Sequence, residues 1–293
     1  MQIYEYFNTK KARPVLHIED VLTLADGKQY TVDEQLGGGG ESYVLKISEL
    51  TEDDTYNSYA IKIAKTPNKI IKKKLLKNKK FLQEIEIAKE FSTLEYKSNF
   101  ITYHMDGTLI LSKSDGHTKT HTYYVMDLAH TSLENFLCQH LNWTEEQEIF
   151  PKIKELSNTI KLLHEKNYVH RDIKPQNILV QGELLKLADF GMVEKENTSC
   201  EKSGPKYWPT PELLDMCDDE IHCSGKRTDV FMLGCIFYFI YTKKYPVGDI
   251  DINLIANHHK MKPIIKRMIS YDQSKRHTCA EEVYNEIKTI RFE

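Results

Sequence analysis

The chain has 293 residues, 40% of them hydrophobic, enough to bury the core of one large domain or of two lobes, so disorder is the poorer expectation. A formal net charge of −3 gives no electrostatic case for nucleic acid as the main partner. The six cysteines (138, 200, 217, 223, 235 and 279) lack paired spacing, so free thiols are expected, and Cys217, His222 and Cys223 lack the C-x-x-C knuckle of a zinc site.

Met1 to Asn8 shows no basic region followed by a long apolar core, so no secretory signal is expected and the expected compartment is the cytoplasm. Val15 to Leu24, followed by the Asp26-Gly27 turn, reads as a short strand or hairpin in an N-terminal extension over residues 1–29. From Tyr30 to Asp127 the pattern is mostly strand-like, clearest in Tyr59–Ile63 and Thr122–Met126, with one helical block around residues 70–94. Lys69 to Lys80 carries seven lysines in twelve residues. It reads either as a solvated helix face or as a docking surface for an acidic partner.

From Ser132 onward helical periodicity dominates. Ile149, Ile153, Leu156, Ile160 and Leu163 recur at spacings of three and four and form one helix face. Thr144 and Gln147 have the form of a capping box, and Pro151 is expected to kink or restart that helix. The longest apolar run, Val230 to Tyr241, is about a dozen residues, contains Gly234, and falls short of the ~20 needed to cross a bilayer. A buried core helix is expected there, and no transmembrane segment.

The chemistry concentrates in His170-Arg171-Asp172-Ile173-Lys174-Pro175-Gln176-Asn177, with Asp189-Phe190-Gly191 beginning twelve residues after Asn177. The two short apolar segments between them, Ile178-Leu179-Val180 and Leu184 to Ala188, read as a β-hairpin turning at Gln181-Gly182. Such a hairpin brings Asp172, Asn177 and Asp189 around one point, with Lys174 reaching the same space. Magnesium-bound polyphosphate needs such a set: a few carboxylate or amide oxygens on the ion, which takes its remaining ligands from phosphate and water. Asp172 is then left to orient a hydroxyl nucleophile.

This run resembles the catalytic loop and D-F-G motif of eukaryotic-type protein kinases, whose Ser/Thr members it matches by placing Lys174 two residues after Asp172. The resemblance implies an α+β, two-lobed fold over residues 30–293. Its small, mostly β lobe with one main helix would cover about 30–127, and its larger, mostly α lobe about 128–293, with the ligand in a cleft between them. It implies ATP and Mg²⁺ as cofactors, protein as substrate and phosphoryl transfer to Ser or Thr, with autophosphorylation. Asn177 and Asp189 would hold the metal, Lys174 would neutralise the γ-phosphate, and Asp172 would orient the substrate hydroxyl.

Other motifs extend the resemblance. Leu36-Gly37-Gly38-Gly39-Gly40 followed by Val44 resembles the glycine-rich loop over the phosphates, with Ser42 where the third family glycine stands. Ala60-Ile61-Lys62 is similar to the strand whose lysine reaches the phosphates. Glu84, rather than its neighbour Glu86, is the expected carboxylate partner, because the apolar pattern around it best matches the family's helix. Val44, Ala60 and Leu179 would flank the adenine ring, Met126 would stand as gatekeeper, and the Asp127 and Ala129 backbones would bond the adenine edge. Thr210-Pro211-Glu212 resembles the end of an activation segment, with Glu212 paired to Arg276 and Asp229 bracing the catalytic loop. By the same resemblance Thr198, Ser199 and Ser203 would be candidate phosphate acceptors, a phosphate on one of them meeting Arg171, with Lys195 and Lys202 adding positive charge. Ser42, and Pro205 where the family commonly has threonine, leave a pseudokinase or regulatory nucleotide-binding module as the alternative.

Overall fold

Residue-by-residue alternation decides where the first core lies. In the computed structural model Tyr56–Ala64 forms a strand in which Ile61 and Ile63 turn to one face and Ala60 and Lys62 to the other. The structure describes residues 5–6, 13–14, 16, 18–38, 41–65, 72–93, 95–112, 118–139, 143, 145–198, 210–214, 225–246, 250–256 and 259–291. They divide into two compact units: residues 1–97 with 101–129, and residues 98–100 with 130–293.

In the first unit, β1 (Glu5–Tyr6) pairs with β2 (Arg13–Pro14). A six-stranded antiparallel sheet follows, made of β3 (Val21–Thr23), β4 (Gln29–Gly38), β5 (Ser42–Leu50), β6 (Tyr56–Ala64), β7 (Tyr103–Ser112) and β8 (Thr118–Asp127), in the order β3-β4-β5-β6-β8-β7. Residues 21–23, assigned to the extension in the sequence reading, are its edge strand, and the turn into β4 holds Gly27 at φ +80°. One face gathers Leu22, Tyr30, Val32, Leu45, Ile47, Ile61, Ile63, Tyr123 and Val125 into a core. Gly107 makes room for this packing, since a Cβ there would lie 2.8 Å from the Tyr123 hydroxyl oxygen. That hydroxyl accepts the Ala25 N–H at 2.8 Å and ties the entering chain to the sheet. The predicted helical block is α1, Lys72–Phe91.

The second unit opens with β9 (Thr131–Ser132) and α2 (Leu133–Gln139), then α3 (Glu146–Glu165) and β10 (Tyr168–Val169). The predicted hairpin is β11 (Ile178–Gln181) with β12 (Leu184–Leu187), and β9 pairs along its outer edge. Its turn lies one residue beyond the expected place, at Gly182-Glu183, because Gln181 pairs with Leu184 and Gly182 supplies the positive φ of +59°. β13 (Glu194–Lys195) pairs with β10, and α4 (Pro211–Leu214), α5 (Lys226–Thr242), α6 (Met261–Met268) and α7 (Ala280–Ile287) complete the unit.

Two expectations concerned the start of α3. The residue before its first turn is Glu145, in extended conformation and with no side-chain cap, and Thr144, the first member of the expected capping box, lies outside the described residues. Pro151 does not restart the helix, which runs unbroken from Glu146 to Glu165. Pro151 and Gln147 are both exposed, so the Gln147 carbonyl that loses its partner to the missing N–H is on the solvent side. The face bearing Ile149, Ile153, Leu156, Ile160 and Leu163 is buried as expected.

The apolar run becomes α5, buried on all sides from Thr228 to Ile240. Gly234 permits this: a Cβ there would sit 2.7 Å from Met268 Cβ and 2.8 Å from Ile269 Cγ2, so the helix that carries Met268 packs directly on the α5 backbone. Among the described residues no helix is long and apolar enough to cross a membrane.

Candidate active site

Each unit carries part of the predicted chemistry. In the second, short 3₁₀ turns flank the hairpin: Pro175–Asn177 leads into β11 and Phe190–Met192 follows β12. The hairpin therefore holds the two ends of the motif. The Ala188 N–H donates to the Asn177 carbonyl at 2.9 Å, which joins the loop to the strand that delivers Asp189.

Asp172 is buried, and its Oδ2 accepts both the Lys174 ammonium at 2.7 Å and the Asn177 amide at 2.9 Å. The same Asn177 nitrogen donates to the Asp172 carbonyl at 2.8 Å. With its nitrogen so committed, Asn177 has Oδ1 left as the ligand atom for a cation. Asp189 adopts φ +63°, ψ 78°, a left-handed conformation, and its carboxylate accepts the Gly191 N–H at 3.4 Å. An amide oxygen and a carboxylate form a hard-oxygen set suited to Mg²⁺, which binds through one or two such groups plus phosphate and water.

The loop itself is braced from α5. Asp229 is fully buried, and its carboxylate accepts the backbone N–H groups of His170 at 2.7 Å and Arg171 at 2.8 Å. Arg171 stands at φ +67°, so its conformation needs such support. His170 is buried, and desolvation holds its pKa below the ordinary histidine range. The ring thus stays neutral beside Asp172, whose N–H it accepts at 3.4 Å.

In the first unit, the Lys62 ammonium contacts Glu84 Oε1, both groups being buried. Glu86 lies on the outside of α1 and pairs with Lys89 at 3.0 Å. Ala60 is buried, Val44 is half-buried and Leu36 is exposed. Gly37 and Gly38 end β4, paired with Val44 and Tyr43, while Gly39 and Gly40 lie outside the described residues. Ser42 is an ordinary strand residue paired with Ala64 and is not among those with positive φ. A glycine there would therefore relieve no backbone strain. At the end of β8, the Asp127 N–H donates to the Thr102 carbonyl at 2.9 Å and its carboxylate bonds His104 at 2.6 Å. Met126, paired with Ala60, is buried, and Ala129 and Leu179 are half-buried.

Glu212 meets Arg276 through both carboxylate oxygens, at 3.1 and 2.9 Å. Of the proposed phosphate acceptors only Thr198 is described, since Ser199, Ser203, Lys202 and Pro205 lie outside the described residues. The Lys195 ammonium donates to the Lys166 carbonyl at 3.0 Å and sits 3.5 Å over the Tyr168 ring. Most of the lysine-rich segment likewise falls outside the described side chains.

Sequence reading missed three supporting residues. His164 Nδ1 accepts the Ala280 N–H at 3.1 Å, which leaves Nε2 to donate to Asp229 at 3.0 Å, so α3 and α7 help to fix the brace. Glu134 at the start of α2 accepts from the Gln176 amide and from the Tyr245 hydroxyl at 2.7 Å. Tyr124 donates to Glu84 at 2.9 Å. Each is far in sequence from its partner, and only His164, at helical spacing from Leu156 and Ile160, carried even a sign of facing inward.

Residues 30–288 match the family profile described as the protein kinase domain. A probable serine/threonine-protein kinase from Dictyostelium discoideum, fhkD, is 26% identical over 286 residues, which is 85% of this chain and 35% of that protein. Another from that organism, irlE, is 31% identical over 46% of this chain and 12% of its own length. The human serine/threonine-protein kinase Nek5 is 34% identical over 34% of this chain and 14% of its own. The matches thus span at most about a third of these relatives' length.

Proposed function

This chain belongs to the protein kinase family, and from that premise we propose that it transfers the γ-phosphate of ATP to serine or threonine hydroxyls of proteins, itself included. The observation that carries the reading is the state of Asp172. Its Oδ2 is held by Lys174 and Asn177, so Oδ1 is the oxygen that an incoming hydroxyl would meet. Held this way, the carboxylate would align the hydroxyl for in-line attack and accept its proton as the bond to the γ-phosphorus forms and the bond from that phosphorus to the β,γ-bridging oxygen breaks, releasing ADP.

Lys174 supplies a positive charge at the same point, where charge accumulates on the transferring phosphoryl group. Asn177 and Asp189 would hold Mg²⁺, which when bound neutralises phosphate charge. Lys62, set by Glu84, would hold the α- and β-phosphates. The serine/threonine preference is supported by Lys174 following Asp172 by two residues and by the likeness to serine/threonine-protein kinases such as fhkD and Nek5.

Incubation with γ-labelled ATP and Mg²⁺, alone and with casein as a general acceptor, tests the reading. Label mapped by mass spectrometry to serine or threonine, and abolished by Lys62→Met in a folded protein, is the expected result. Nucleotide binding without any label transfer would overturn it in favour of a regulatory module.

A further inference from the structure

Lys62 and Tyr124 are cross-strand partners in the ladder between β6 and β8, so their side chains leave the same face of the sheet. Their neighbours Ile61, Ile63, Tyr123 and Val125 turn to the opposite face and fill the core. On the shared face the two side chains end on one atom. Glu84 Oε1 accepts from the Lys62 ammonium and from the Tyr124 hydroxyl, the latter at 2.9 Å. All three residues are buried, at 6%, 1% and 3% exposure for Lys62, Tyr124 and Glu84.

The Tyr124 ring has a second hold on the same helix. It packs against Phe81 with ring centroids 5.8 Å apart, and Phe81 precedes Glu84 by three residues on one face of α1. Ring and hydroxyl thus fix α1 at two points, one of which is the carboxylate that holds Lys62.

We propose that Tyr124 is a positioning residue for nucleotide binding, its hydroxyl keeping Glu84 in place on Lys62; this rests on the reading of Lys62 as a phosphate-binding residue. A lysine that turns toward phosphate oxygens shares its donors between two anions. The phenol then keeps the Glu84 oxygen hydrogen-bonded in a buried site, where a bare carboxylate is costly. A neutral donor also spreads the carboxylate's charge without cancelling the ammonium's, so Lys62 keeps its pull on phosphate. Phenylalanine would preserve the ring contact and lose both effects.

Tyr124→Phe removes one oxygen and keeps the packing on Phe81, so the test is a calorimetric titration of the full chain with ATP and Mg²⁺. The parent, Tyr124→Phe, Glu84→Ala and the double variant form a cycle. Tyr124→Phe should weaken Mg-ATP binding about 3- to 10-fold in the parent, the scale of one net hydrogen bond, and by less than about 1.5-fold in the Glu84→Ala background. Equal losses in both backgrounds would mean that the hydroxyl acts by a route other than its bond to Glu84, and would overturn the inference. A parent that binds with Tyr124→Phe binding as tightly overturns this inference alone, whereas a parent that binds no Mg-ATP overturns the proposed function as well. Should Glu84→Ala not fold, amide exchange in residues 79–91 without nucleotide decides. Exchange about 3- to 10-fold faster in Tyr124→Phe supports the positioning role, and unchanged exchange defeats it.

Discussion

Asp229 and Arg171 are joined by a hydrogen bond of 2.8 Å from the Arg171 backbone N–H to a carboxylate that is wholly buried in α5. The bond matters because Arg171 sits at φ +67°, a conformation costly for a long side chain, one residue before the carboxylate at the centre of the site. A helix core therefore underwrites the loop's geometry.

Asp229→Asn tests that support with almost no change in volume. The amide turns one acceptor into a donor that faces the N–H of His170 or Arg171, and a buried unsatisfied donor costs about 1–3 kcal/mol. Chemical denaturation should show a loss of that size. A midpoint equal to the parent's would mean the loop holds its conformation unaided.

Asp172→Asn and Asp189→Asn should separate chemistry from binding. Losing the positioned base at Asp172 should lower kcat by at least ~10²-fold with Mg-ATP affinity nearly intact. Losing the Asp189 carboxylate should remove the Mg²⁺ dependence of ATP binding. Single-turnover rates and calorimetry check this, and equal damage to binding from both variants would contradict the division.

Arg276→Lys should destabilise the second unit by about 1–3 kcal/mol, the scale of leaving buried hydrogen-bonding groups unsatisfied. The guanidinium bonds both Glu212 oxygens and the carbonyls of Ser270 at 2.7 Å and Tyr271 at 3.2 Å, a fork that one ammonium cannot reproduce. Urea denaturation measures the loss, and a cost within 0.5 kcal/mol, the range of ordinary surface changes, would refute the assignment.

Stability should fall on mild acidification. His170 and His277 are buried, and desolvation lowers both pKa values below the ordinary histidine range. The unfolded chain therefore takes up protons that the native rings refuse. The stability present above pH ~6.5 is lost as the pH drops below it toward the folded values, by up to about 1.4 kcal/mol per pH unit for each ring. Denaturation midpoints between pH 7 and 5 should drop, and His170→Phe should flatten the slope. An identical slope in that variant would show that His170 does not titrate differently on unfolding.

Much of the second unit's candidate site was legible because its geometry is local. Asp172, Lys174 and Asn177 lie within six consecutive residues, and a two-residue turn returns the chain to Asp189, so composition and spacing nearly determine their meeting. The alternation in Tyr59–Ile63 likewise told which side chains share a face with Lys62. At Ser42, where the family has its third glycine, the chain is a paired strand residue without positive φ and has no need of glycine.

What the sequence by itself determined is thus the periodic faces and the chemistry carried by one short loop. Tertiary structure decided the partners. Tyr124 meets Glu84 across 40 residues, Gln176 meets Glu134 across 42 and His164 meets Asp229 across 65, whereas the pairing of Glu212 with Arg276 and the brace from Asp229 were implied by the family resemblance. Periodicity gives the direction of a side chain but not the register or the neighbour it finds. Those are set by how whole strands and helices pack, and a hydrogen bond that is decided within a few tenths of an ångström follows from that packing.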